Sequence, residues 1–326
     1  MRVLVIGGTL FLGRGLVRAL LDQGHAVTLL HRGKHNPFGD AVAEVRCDRN
    51  DPVAVAQALR EGDYEAVFDN VYDWKRGTTA EQVEAAARAC GPNLRRYVFT
   101  SSVAAYAGGL DHDEDDPLAP DDCPDKYSRD KAQTERMLLG LHRECGFPAV
   151  TLRPPFIYGP ENPFEREQFF WDRILRDRPV LVPDDGERLM QFVYRDDFVR
   201  AALLALETEA AAGRAYNIAH AAPITQAELV AALARAAGRD VRLVFVKRAK
   251  LLELGGNVFQ PPFYFAQYYD MPPITQKIER ARRELGFEPS VFEDSLRRSF
   301  AWYQSLTRPE PDFSFDDKVL ASVGAL

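Results

Sequence analysis

A chain of 326 residues, 46% of them hydrophobic, can bury a sizeable core as one large domain or two moderate ones, which excludes a disordered tail or linker. With 48 acidic against 41 basic residues the formal net charge is -7, so the averaged field repels polyanions and disfavours nucleic acid unless a local basic stripe overrides it. Cys47, Cys90, Cys123 and Cys145 are widely spaced with no CxxC pair, which fits reduced thiols in a cytosol and neither a disulfide framework nor a zinc knuckle.

The chain begins Met1-Arg2 and then turns apolar, but Gly7-Gly8 interrupts the run and no small-residue cleavage site comes after it. No stretch approaches the ~20 apolar residues needed to cross a bilayer. A cytoplasmic protein without membrane contact is expected.

From residue 3 to about 155 one theme repeats: a short β-branched run, a turn, then apolar residues at helical spacing. The runs are 3–6, 26–30, 43–47, 66–69, 97–100 and 149–152, and helices are predicted over 12–22, 52–60, 80–89 and 127–144. Strands too apolar to be half exposed, alternating with helices, predict an α/β fold with a doubly wound parallel sheet covered on both faces. The acidic stretch 111–125 reads as a solvated loop. After Arg153 the rhythm breaks at Pro154, Pro155, Pro160, Pro163, Pro179 and Pro183, which suits a smaller, mixed α/β, loop-rich second domain. Helices over 227–237, 277–285 and 292–306 are expected to pack together there.

Directly after the first strand stand Gly7, Gly8, Thr9, Leu10, Phe11, Leu12 and Gly13. A glycine turn between a first strand and a helix lets backbone N–H groups approach a pyrophosphate, and the helix N-terminus adds partial positive charge. Dinucleotide binding is therefore expected. The second strand ends at His31-Arg32 with no acid for a ribose 2′-hydroxyl, and the Arg32 guanidinium could grip a 2′-phosphate instead, so the cofactor expectation is NAD(P) with a lean to NADP. Asp48, after the third strand, either accepts from an adenine amino group or caps the helix that begins near Pro52.

Of twelve tyrosines, Tyr127 has a lysine, Lys131, four residues later. On a helix these share a face, so an ammonium and a phenol can point into one cleft, and a nearby cation brings a phenol closer to the range for proton transfer. Thr100-Ser101-Ser102 closes the fifth strand, at the end where open α/β sheets place ligands, and a hydroxyl there can bond a substrate carbonyl or alcohol. The histidines give no convincing metal set, since His31 and His35 fall on a strand end and loop, so no metal is expected.

Glycine turn, serine strand end and Tyr-x-x-x-Lys in this order resemble the extended short-chain dehydrogenase/reductases, the NAD-dependent epimerase/dehydratase family. Leu152-Arg153-Pro154 with Tyr158-Gly159-Pro160, Phe192 to Asp197, Tyr216-Asn217-Ile218 and Leu285 to Pro289 resemble four further signatures of that family. The resemblance implies a Rossmann-type domain over 1–155 with 191–210 and a substrate domain over 156–190 with 211–326. It implies that Tyr127 is the acid/base, that Lys131 lowers its pKa and holds the nicotinamide ribose, and that Ser102, with Ser101 as fallback, orients the reacting oxygen. Pro154 and Tyr158 would lie near the nicotinamide. A homodimer through the helices 80–89 and 127–144 is also implied.

Two departures stand out. Leu10 occupies a position where the usual fingerprint has glycine, and the form Gly-Gly-Thr-x-Phe-Leu-Gly, with the segments 165–185 and Asp312-Phe313-Ser314, resembles an atypical branch that includes the chloroplast stem-loop-binding proteins, described as RNA-binding. Met190 and Gln267 stand where sugar-nucleotide epimerases carry arginines, with Arg188 close by, which weakens a UDP-sugar substrate. The aromatic tract Phe259, Phe263, Tyr264, Phe265, Tyr268 and Tyr269 either lines a pocket for a less charged, ring-containing substrate or forms the second-domain core. The expected function is tyrosine-assisted hydride transfer at a secondary alcohol or ketone of a small molecule, as reductase, epimerase or dehydratase. The alternatives are a non-catalytic RNA-binding protein or an NADP(H) sensor on the same fold.

Overall fold

A computed structural model describes residues 1–325; Leu326, the last residue of the expected second domain, lies outside them. The first half alternates strand and helix: β1 Arg2–Ile6, α1 Phe11–Asp22, β2 Ala26–His31, β3 Ala43–Arg46, α2 Pro52–Gly62, β4 Ala66–Asp69, α3 Ala80–Ala89, β5 Arg96–Thr100, β6 Gly109–His112, α4 Lys126–Cys145, β7 Ala149–Arg153 and β8 Phe156–Tyr158. Next come α5 Glu167–Ile174, β9 Val180–Pro183, β10 Leu189–Met190, β11 Phe192–Tyr194, α6 Arg195–Glu207, β12 Arg214–Asn217, β13 Ile224–Thr225 and α7 Gln226–Ala236. The last elements are β14 Leu243–Val246, α8 Arg248–Glu253, β15 Ile274–Gln276, α9 Glu279–Leu285, α10 Phe292–Gln304 and α11 Ser314–Ser322.

Seven parallel strands form one sheet in the order β12-β7-β5-β4-β1-β2-β3. Because side chains alternate along a strand, Val3 and Val5 of β1 enter the core shared with α1 and α6, while Leu4 and Ile6 enter the core shared with α2, α3 and α4. Both faces are thus covered, as the apolar runs require. The strand order reverses between β1 and β4, and the crevice beyond their carboxyl ends is where such sheets hold ligands.

Residues 214–217, expected with the second domain, add β12 to the sheet edge in parallel with β7. Likewise Ile278, Ala281, Leu285 and Phe287, in and beside α9, pack into the first-domain core rather than with α7 and α10. A separate core gathers Phe170, Trp171, Leu229, Leu233, Phe265, Leu296 and Val319 from the later elements. The acidic stretch is more than a solvated loop: Glu114 is buried and accepts from Asn217 N at 2.9 Å, and Arg280 pairs with Asp115 at 2.6 Å. No helix among the described residues is long and apolar enough to cross a membrane.

Candidate active site

The glycine turn is shaped by contacts that no side chain could share. Gly7 has φ +84°, the left-handed region that glycine enters without penalty, and a Cβ on Gly13 would lie 1.9 Å from the Gly7 carbonyl oxygen. A Cβ on Gly8 would meet Leu29 at 2.5 Å, so the turn lies flat on the sheet. Leu10 is different: as the residue before α1 it takes ordinary extended backbone, φ −129° and ψ 154°, with a 68% exposed side chain. The departure at Leu10 therefore changes what faces solvent and not the path of the turn. No side chain caps α1 and no acid stands in its first turn, which leaves its N–H groups for an anionic ligand. Thr9, Phe11 and Leu12 line the same turn half-buried. Across the switch point Asn70 accepts from the Thr100 hydroxyl at 2.7 Å, and its buried Nδ2 has no partner among the described residues. A flat turn, an uncapped helix and an orphaned amide at one crevice fit a dinucleotide.

At the far end of that groove His31 is held by Glu44 at 2.9 Å, and Arg32 is exposed. Asp48 does not cap α2; Asp51 does, accepting from Val53 N and Ala54 N. Asp48 instead accepts from Asn50 N at 3.0 Å and pairs with Arg76 at 2.6 Å, so the loop after β4 is tied to the loop after β3.

Asp125 accepts from Ser128 N at 2.8 Å and so fixes the first turn of α4, which carries Tyr127. Lys131, one turn later, is buried; its ammonium donates to Thr100 O at 2.7 Å and lies 5.8 Å from the centre of the Tyr127 ring. Burial pulls Lys131 down to about 8, with Asp69 and Glu135 pushing back. Burial pushes the Tyr127 phenol up; a hydrogen bond with the Ser102 hydroxyl and the charge of Arg166 oppose this.

The two serines part company. Ser101 is buried and donates to Glu135 at 2.5 Å, within a network in which Glu135 also pairs with Arg153 at 2.9 Å. Ser102 accepts from Ala104 N at 3.1 Å and stands with Tyr127. Tyr127, Ser102 and Lys131 therefore converge at the carboxyl end of β5, beside the groove that starts at Gly7.

The model of the NAD dependent epimerase/dehydratase family matches residues 3–219. The chain belongs to that family. A 2-alkyl-3-oxoalkanoate reductase of Stenotrophomonas maltophilia is 31% identical, covering 91% of this chain and 98% of the relative. The chloroplast stem-loop binding protein of 41 kDa b of Arabidopsis thaliana is 30% identical over 98% of this chain and 84% of its own length. Among solved structures, the dTDP-glucose 4,6-dehydratase of Bacillus anthracis in complex with NAD superposes with a TM-score of 0.75 at 19% identity, covering 93% of this chain and 96% of that one. That likeness shows the shared fold.

Of the family's downstream motifs, Pro154 is buried just past β7. Tyr158 is buried, and its hydroxyl meets His220 Nε2 at 2.9 Å and Ser295 within the second core. Sequence reasoning missed Tyr72, Trp74 and Arg166. Tyr72 packs edge-on against Tyr127 with centroids 4.7 Å apart and donates to Asp130 at 2.9 Å, and the Trp74 ring lies 4.9 Å from that of Tyr127. The signal was present in Tyr72-Asp73-Trp74, aromatic residues in a loop that leaves a strand at the switch point. No group of metal-binding side chains occurs among the described residues.

Proposed function

We propose that this chain of the epimerase/dehydratase family transfers a hydride at a secondary alcohol or ketone of a small molecule, with Tyr127 as acid/base. The observation that carries the reading is the convergence of Tyr127, Ser102 and Lys131 next to the Gly7–Gly13 turn. A bound nicotinamide would supply or take up the hydride. Ser102 orients the reacting oxygen by hydrogen bonding, and Tyr127 gives its phenolic proton to that oxygen in reduction or takes it in oxidation. Lys131 offers the ribose an ammonium already aligned by Thr100 O. Reductase, epimerase and dehydratase share this proton and hydride step and differ in the fate of the product. Gly7, Gly8 and Gly13 would cradle the pyrophosphate, and the exposed Arg32 supports a preference for the 2′-phosphate of NADP.

The S. maltophilia relative, a reductase that covers nearly the same length, favours reduction of a ketone. A second reading, an RNA-binding or NADP(H)-sensing protein without turnover, is favoured by the chloroplast relative. The intact trio argues against it, since a scaffold has no chemical need for those three groups. The proposal includes a cytoplasmic homodimer joined through α3 and α4, for which a monodisperse monomer in sedimentation would be the wrong outcome. Calorimetric titration with NAD and NADP separately, followed by turnover of a ketone with the bound nucleotide, tests the reading: binding lost in Gly13→Ala together with turnover supports it, tight binding without turnover favours the sensor, and salt-sensitive RNA binding with no nucleotide binding overturns it.

A further inference from the structure

The trio accounts for the hydride end of the crevice; a different group faces what enters it. Arg166, just before α5, is only 8% exposed. Its Nη1 donates to Ile157 O at 3.1 Å, and its Nε has no partner among the described residues. Its acidic neighbours are engaged elsewhere, Glu165 with Arg308 at 3.0 Å and Glu167 with the Tyr269 hydroxyl at 2.6 Å. No carboxylate among the described residues pairs directly with the guanidinium, although the charge of Glu167 reaches it, and rings wall it, 4.6 Å from the centroid of Phe164, 5.4 Å from those of Phe156 and Tyr269, and 6.0 Å from that of Tyr268. A buried cation with no directly paired anion is costly, and a ligand that brings a carboxylate within hydrogen-bond reach relieves part of that cost.

The same rings lead to the phenol. Tyr268 lies near-parallel to Trp74 at 21° with centroids 6.4 Å apart, and Trp74 in turn adjoins Tyr127 at 4.9 Å. Tyr268 holds φ +67°, a strained value for a residue with a Cβ, fixed by its N–H bond to Val258 O at 2.8 Å. Trp74 and Phe259 are 61% and 52% exposed, so an apolar face runs from solvent to the cleft. A diphosphate finds little here: Met190 is buried, Gln267 donates to Phe259 O at 3.0 Å, and Arg188 is paired with Asp270 at 3.4 Å.

We propose that Arg166, Trp74 and Tyr268 form the substrate-recognition wall, and that the substrate is an oxo or hydroxy carboxylate with a flat apolar body. The carboxylate docks on the free edge of Arg166, and the body lies against Trp74 and Tyr268, which presents the reacting carbon to Tyr127. This deepens the proposed function and rests on it for the reacting carbon alone.

Calorimetric titration of the full chain, in the presence of excess NADP, with cinnamate and with methyl cinnamate reads the wall without turnover. Cinnamate is expected to bind at least about tenfold more tightly than its ester, because a charge-assisted bond to a buried guanidinium is lost in the ester. Arg166→Gln should weaken cinnamate by about tenfold to a hundredfold with the ester unaffected, Arg166→Lys should restore part of the loss, and Trp74→Ala should weaken both ligands by about tenfold. Equal binding of acid and ester, no binding of cinnamate, or an Arg166→Gln protein that binds cinnamate as well as the parent overturns the proposal. If Arg166→Gln does not fold, the acid-to-ester ratio of the parent and the exposed Trp74→Ala variant still decide it. Carboxylate recognition without any hydride transfer would sink the enzymatic reading and leave the wall standing, so the two failures are distinct.

Discussion

Lys131 donates its ammonium proton to the carbonyl of Thr100 at 2.7 Å, a bond from the middle of the interior that ties α4 to the end of β5. The lysine is kept there against its own preference for water, since burial lowers it from 10.5 to about 8. Between about pH 8 and 10.5 the unfolded chain holds a proton that the folded chain has lost, so this residue makes stability rise with pH across that window.

Lys131→Met should therefore raise stability at pH 7, by about 1–3 kcal/mol, and flatten that rise, while activity falls. Urea unfolding of both proteins at pH 7 and pH 10 checks it; a variant less stable at pH 7 than the parent contradicts it. The same titration predicts that reduction slows as pH passes about 8, where the ammonium is lost.

The serine pair separates structure from chemistry. Ser101→Ala removes a buried hydrogen bond to Glu135 and should cost about 1–3 kcal/mol of stability, with kcat within about threefold. Ser102→Ala should cost about 1 kcal/mol for the bond to Ala104 N and lower kcat by about tenfold to a hundredfold. Unfolding and steady-state kinetics on the two variants check this, and the reverse pattern would move the role to Ser101.

At the nucleotide groove, Gly13→Ala drives a methyl group into the Gly7 carbonyl and should weaken NAD(P) by at least about a hundredfold. Leu10→Gly should change affinity by no more than about threefold, because Leu10 already has extended backbone and an exposed side chain. Calorimetry on both variants decides whether the leucine matters.

Arg32→Ala should lower affinity for NADP by about tenfold and leave NAD unchanged, the difference being the bond to a 2′-phosphate. Equal losses for the two nucleotides would mean that Arg32 does not read a 2′-phosphate.

Much of the fold is legible in the sequence, and the limits have physical causes. Strand and helix periods locate the sheet and α1 to α4 closely because buried strands and amphipathic helices write their contacts into spacing. Spacing says that a helix has a buried face and not what it is buried against, which is why Ile278, Ala281 and Leu285 belong to a different core from the one expected. The motif places Tyr158 in the chain and cannot tell that its hydroxyl turns to His220 and Ser295. Trp74 and Arg166 lie in loops, where no period marks a side chain as inward-facing. Their convergence on Tyr127 depends on tertiary packing alone.

The central claim is that Tyr127 moves the proton that accompanies hydride transfer. The most direct measurement tracks nicotinamide absorbance while the parent and Tyr127→Phe proteins are offered NAD(P)H with a panel of 3-oxo acids, cyclic ketones and sugar nucleotides. The account predicts turnover of at least one ketone by the parent and a loss of about a hundredfold to ten-thousandfold in kcat for Tyr127→Phe, with NAD(P) affinity unchanged. A Tyr127→Phe protein that reduces the same ketone as fast as the parent would contradict it.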